Sequence, residues 1–79
     1  VYMILSTNSD KKITYVGYSL NPAKRIILHN KGKGAKFTRG KKWKIIYKKG
    51  YKSRSKALKE EYSLKKDKIK RNKIKMKFI

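Results

Sequence analysis

The chain has no cysteine. Disulfide staples and thiolate metal sites are therefore excluded, which fits a reducing compartment and gives the expectation of a cytoplasmic protein. No apolar run approaches the ~18 residues that a membrane span requires. The apolar block at the start ends at Leu5, too early for a secretory signal, and Val1 is not a methionine, so native residues are expected ahead of it. Acids are the scarcest charge: Asp10, Glu60, Glu61 and Asp67 stand against 25 Lys and Arg. The net charge is +21 in 79 residues, with a pI near 10.4. So much charge of one sign repels itself and calls for a polyanion, and nucleic acid is the expected partner; an anionic membrane surface is the minor alternative. Part of the excess has a blander source, because a chain rich in Lys, Ile and Asn also arises from an AT-rich genome. Only Arg25, Arg39, Arg54 and Arg71 are arginines.

What is present reads as one small domain over residues 1–79, near the lower size limit for a self-sufficient core. Val1 to Leu5 forms a short strand buried on both faces, Ser6 to Lys12 a polar loop, and Ile13 to Tyr18 a second strand. A hairpin turn centred on Asn8 and Ser9 sets Tyr2 near Tyr15 on one face. Asn21 caps a helix from Pro22 to about Asn30, with Pro22 at its first position and Ala23, Ile26 and Ile27 or Leu28 as its packing side. Gly32 and Gly34 permit tight turns; a helix stop explains them more plainly than a phosphate cradle. Ala35 to Arg39 gives a short helical turn, and Trp43 to Tyr51 a third strand. Ser53 or Ser55 caps the longest helix, Lys56 to about Lys66. Beyond it, Asp67 is a helix cap or a surface residue, and the tail to Ile79 is expected to be a short, fraying helix.

Few residues qualify for chemistry. Arg25 and His29 are four apart and project from one helix face, opposite a strand end that carries Tyr15 and Gly17. Those groups suit a phosphate and a proton. Of the acids only Glu61 looks inward, in line with Ala57 and Leu64, and a carboxylate on an apolar face needs a partner. Singly, each residue has a plainer reading: a buried salt bridge from Glu61 to Arg25, a satisfied histidine, ordinary strand tyrosines. Trp43 could stack on a base, but a core role is the simpler one.

Together they resemble the GIY-YIG nuclease family, in its small stand-alone branch. Tyr15-Val16-Gly17 looks like the second signature, and Val1-Tyr2-Met3 like the first with only its tyrosine kept. Arg25 and His29 match the helix motif, and Glu61 the metal-binding glutamate of a later helix. The stretches from Gly32 to Gly40 and from Arg54 to Lys66 are similar to the same branch. The resemblance implies an α+β fold, a three-stranded antiparallel sheet flanked by helices, that hydrolyses phosphodiesters, DNA rather than RNA, with a place in repair or recombination. It implies one Mg²⁺ or Mn²⁺ held by Glu61, with Arg25 on the phosphate. It leaves the general base open between Tyr2 and Tyr15; we favour Tyr15, with His29 bonded to a tyrosine as relay. Gly17 is a signature position that allows close approach. Lys33, Lys36, Arg39, Lys41, Lys42 and Lys44 would track the nucleic-acid backbone without reading sequence. The hairpin loop is longer than usual for the branch, and its capped last helix is missing from the pattern after Lys66. The competing reading is a basic nucleic-acid binder without catalysis, such as a ribosome-associated protein or a degenerate nuclease.

Overall fold

Strand β1 (Tyr2–Ser6) is buried at every position, because both faces of the sheet are covered and it lies in the middle. The computed structural model describes residues 1–8 and 11–79; Asp10, and with it the tip of the hairpin turn, lies outside the described residues. Strands β2 (Thr14–Gly17) and β3 (Trp43–Lys48) flank β1 in an antiparallel sheet ordered β2-β1-β3. The α+β class and the three-stranded sheet are as expected. The third strand ends at Lys48 rather than Tyr51, although Val1 and Lys49 still exchange backbone hydrogen bonds of 2.8 and 3.0 Å past its end.

Register differs from expectation by two residues. Tyr2 pairs with Gly17 and Tyr15 with Ile4. An even slip keeps side-chain parity, so the two tyrosines still share a face, now diagonally. That face carries Tyr2, Ile4 and Trp43, packed by Ile13, Tyr15, Ile26 and Ile45. The opposite face carries Val1, Met3, Leu5, Val16 and Ile46 against Ala57 and Leu64. A register shift between Met3 and Ile4 leaves Ile46 without a partner opposite β1, and the bulge delivers Ile46 and Tyr47 to the same layer.

Helix α1 (Pro22–Asn30) packs by the first face, and α2 (Arg54–Lys66) and α3 (Lys68–Met76) by the second. Ser53 caps α2 through its side chain. The short helix expected in the tail is present; the loss of its cap is what needs correction. Asp67 accepts from the Lys70 amide at 2.9 Å and starts a nine-residue helix, so the capped last helix is present. Its anchor is Ile74, packed on the core, while Ile69 is 72 % exposed. A single anchor under a lysine-rich helix leaves little periodicity to detect.

Candidate active site

Helix α1 turns a polar face inward. Its start and stop follow from sequence: Asn21 Oδ1 accepts from the Lys24 amide, Pro22 opens the first turn, and Gly32 at φ +78° closes a Schellman motif. In that motif the Lys33 amide donates to the Leu28 carbonyl and the Gly32 amide to the His29 carbonyl. The helix-stop reading of Gly32 thus holds. The packing side does not: Ala23 and Ile27 are exposed, Leu28 nearly as much, and of the expected set only Ile26 packs inward. The buried line instead runs through Arg25, Ile26, His29 and Asn30. Asn30 ties the helix end to β3, accepting from the Trp43 amide at 2.6 Å and donating to the Trp43 carbonyl at 3.2 Å.

His29 is fully buried and bonded at both ring nitrogens. Nε2 meets the Tyr2 hydroxyl at 2.8 Å, and Nδ1 meets the Thr38 hydroxyl at 2.8 Å. Thr38 has one proton, and its hydroxyl lies 2.9 Å from the Ala35 carbonyl, which can only accept. The hydroxyl therefore donates to Ala35 and accepts from Nδ1–H. Nε2 is left bare, and Tyr2 donates to it. Two glycines permit this packing. A Cβ on Gly17 would stand 2.5 Å from the Tyr2 hydroxyl oxygen, and one on Gly34 would fall on the His29 imidazole. Gly34 is thus needed for close approach rather than for the tight turn expected of it. Burial, then the Arg25 charge, lower the His29 pKa, so the ring is held neutral. Burial raises the Tyr2 pKa, with the charges of Tyr15 and Glu61 adding to it and Arg25 opposing.

Tyr15 and Arg25 adjoin this pair, and Glu61 reaches Tyr2 through its charge alone. Tyr15 lies with its ring 5.3 Å from His29 and stacks at 6.1 Å on Phe37. Arg25 donates through Nη2 to the Gly34 carbonyl at 3.1 Å, and does not pair with Glu61. Glu61 has 19 % of its side chain exposed, and its ion-pair partner is Lys65 at 3.8 Å. Glu60 is half-buried too, but against Tyr51. Among the described residues no group of three metal-ligating side chains occurs. A hard cation with one carboxylate, several waters and a substrate phosphate is the arrangement Glu61 fits, since its carboxylate is held only by a long, surface-type pair. Lys33, Lys36, Arg39, Lys42 and Lys44 are exposed on the neighbouring loop and β3; Lys41 is half-buried over the Phe37 ring. Trp43 is core, 4 % exposed, and donates to the Thr38 carbonyl at 3.0 Å. Sequence reasoning gave no role to Thr38 or Phe37. Their signal was position: both lie in the loop that follows the helix bearing His29.

A tyrosine bonded to a buried neutral histidine, an arginine beside it and a half-buried glutamate on a later helix, all mounted on this sheet, fit a GIY-YIG catalytic domain. The profile of that domain matches residues 1–75, and the chain belongs to the GIY-YIG family. Among curated proteins it is similar to small UPF0213 proteins, a name that states no activity. The one from Streptococcus pneumoniae is 42% identical over 55 residues, which is 68% of this chain and 56% of that protein. Those from Staphylococcus epidermidis and Oceanobacillus iheyensis are each 42% identical over 52 residues, 65% of this chain and 63% and 60% of theirs. The chain thus spans roughly three-fifths of the relatives it matches. No solved structure matches. The family implies nuclease-type chemistry on nucleic acid, and GIY-YIG nucleases generally work with a divalent metal ion. Among the described residues no helix is long and apolar enough to cross a membrane.

Proposed function

We propose that this domain, over residues 1–79, is a metal-dependent endonuclease that hydrolyses phosphodiester bonds of DNA with little sequence preference. The observation that carries the reading is the Tyr2–His29–Thr38 line of hydrogen bonds, sheathed by Gly17 and Gly34 and flanked by Arg25 and Glu61. Partners for both ring nitrogens are what any buried histidine needs; the charge of Arg25 beside His29 and the charge of Glu61 acting on Tyr2 are what point beyond structure. Mg²⁺ or Mn²⁺, held by Glu61, would stabilise the charge developing on the phosphate and the leaving oxygen.

The chain's own residues account for the proton. Water attacks phosphorus as its proton passes to the Tyr2 oxygen, and Tyr2 passes its own proton to the bare Nε2 of His29. Nδ1–H stays on Thr38 throughout. Because His29 is held neutral, it accepts at neutral pH. The bond to the leaving oxygen breaks, and solvent supplies that oxygen's proton. This favours Tyr2 over Tyr15 as the base, since the Tyr15 hydroxyl makes no hydrogen bond to a proton acceptor among the described residues. Tyr15 then walls the site beside His29. Arg25, with its planar fork, pairs with the non-bridging phosphate oxygens. Lys33, Lys36, Arg39, Lys42 and Lys44 follow the backbone. A cytoplasmic setting and a place in repair or recombination go with this reading.

Labelled duplex, single-stranded and branched DNA, with RNA beside them, test it in Mg²⁺, in Mn²⁺ and in chelator. Cutting that needs metal and disappears in Glu61→Ala supports the nuclease. The net charge of +21 favours one rival, a binder that does not cut. Salt-sensitive binding without cutting in either metal would establish that rival.

A further inference from the structure

We propose that Phe37 and Arg71 form a subsite for one unpaired nucleotide next to the scissile phosphate, so that the enzyme selects single-stranded or branched nucleic acid over intact duplex. The proposal rests on the nuclease reading above and adds the substrate's structure. Three observations converge on it. Phe37 is 53 % exposed, yet it is not an idle surface residue. Its ring stacks on Tyr15 at 23° between planes, and Tyr15 in turn touches His29. Phe37 is thus one ring removed from the proton acceptor, and the Lys41 Nζ that lies over its ring at 5.5 Å would give way to a stacked base.

Second, Tyr15 and Phe37 line a cleft of about 290 Å³ with Thr14, Val16, Lys65 and Arg71. Its walls are two aromatic rings and two cations, a combination that takes a base by stacking and the adjoining phosphate by charge. Third, the Nε of Arg71 is buried and has no hydrogen-bond partner. That N–H is closed off from outside, so the phosphate of a bound strand would be drawn by the charge of the half-buried Arg71 side chain rather than by the Nε itself. Arg71 stands on α3, which packs on the core through Ile74.

A base paired within a duplex has both faces stacked on its neighbours and cannot lie on Phe37. A base in a single-stranded extension or at a branch can.

The test reads binding and cutting on the same oligonucleotides. Duplexes of equal charge, blunt or with a short single-stranded extension carrying 2-aminopurine, are titrated in chelator at fixed salt and then cut in Mg²⁺. The wild type should bind the extended duplex about ten-fold more tightly than the blunt one, within the range typical of one stacked base, and should quench 2-aminopurine. Phe37→Ala should lose the preference and the quenching. Phe37→Leu, which keeps apolar contact with Tyr15 and Trp43, should lose both as well, whereas Phe37→Trp should keep both. Arg71→Gln should weaken binding of the extended duplex while leaving the blunt one unchanged. Equal affinity for the two duplexes, or a preference that survives in Phe37→Leu, overturns the proposal. Metal-dependent cutting without the preference would refute the subsite alone. A preference without cutting would refute the nuclease reading alone.

Discussion

Replacing Thr38 by Val removes one buried hydroxyl and little else. Thr38 is fully buried, and its oxygen serves His29 Nδ1 at 2.8 Å, the Ala35 carbonyl at 2.9 Å and the Ala35 amide at 3.2 Å. Ala35 is partly solvated and can turn to water; Nδ1–H of His29 cannot. An unsatisfied buried donor costs about 1–3 kcal/mol, so Thr38→Val should lower stability by about 2 kcal/mol in urea titration. The larger effect falls on the tautomer. Without its acceptor, the ring gains by moving the proton to Nε2, where the Tyr2 oxygen can accept it. Tyr2 then has nowhere to send its own proton. Each 1.4 kcal/mol by which the tautomer balance shifts costs about tenfold in the productive form, so turnover should drop ten- to hundredfold. Imidazole nitrogen shifts by NMR would report the change of tautomer directly. Thr38→Ser keeps the hydroxyl and loses one methyl, about 0.8 kcal/mol of burial, and should cut at nearly the wild-type rate. Wild-type turnover in Thr38→Val, or equal impairment in Thr38→Ser, would refute the reasoning.

Gly17→Ala should destabilise by about 1–3 kcal/mol, because its Cβ meets the aromatic end of Tyr2 rather than open space; an unchanged urea midpoint would mean that Tyr2 moves aside freely. The His29 pKa is lowered on folding, so the unfolded chain takes up protons first as pH falls. Its contribution to stability is therefore whole above pH ~6.5 and is lost progressively below it, and the acid limb of the cleavage profile should also lie below 6.5. A limb above that value would mean that another group carries the proton. Arg25→Lys keeps the charge but not the fork, and turnover should still fall at least tenfold; near-normal cutting would argue against a phosphate clamp. Affinity for DNA should fall steeply as salt rises from 50 to 200 mM, and a flat profile would discount the exposed lysines.

The parts of this fold that were legible in sequence are those with local punctuation. Asn21-Pro22 at one end and Gly32 at the other delimit α1, and Ser53 starts α2. The hairpin register was not legible, because loop residues alone do not set where a long turn closes; the alternation of the strands limited the error to an even slip. The packing side of α1 was misread for a physical reason. Apolar residues usually mark the buried side, but here Ile27 stays outside while Asn30 turns inward to hold β3, beside the Arg25 and His29 whose inward face the spacing had shown. In the tail a short helix and a capping Asp67 were expected, but the extent of α3 was not, because its interior contact is little more than Ile74. Of the candidate site, the residue types and their helix spacing could be read. The partners could not: that His29 spans Tyr2 and Thr38, and that Gly34 makes room for it, depends on a loop folding back over α1.

The proton path is tested most directly by Tyr2→Phe, which deletes one oxygen from a buried ring, measured beside Tyr15→Phe. Single-turnover cleavage of labelled DNA in Mg²⁺ is the readout, with binding measured in chelator as the control. If Tyr2 hands its proton to His29, Tyr2→Phe should lose at least a hundredfold in cleavage at unchanged affinity, and Tyr15→Phe much less. Full cleavage by Tyr2→Phe, with the loss appearing in Tyr15→Phe, would contradict the account and move the base to Tyr15.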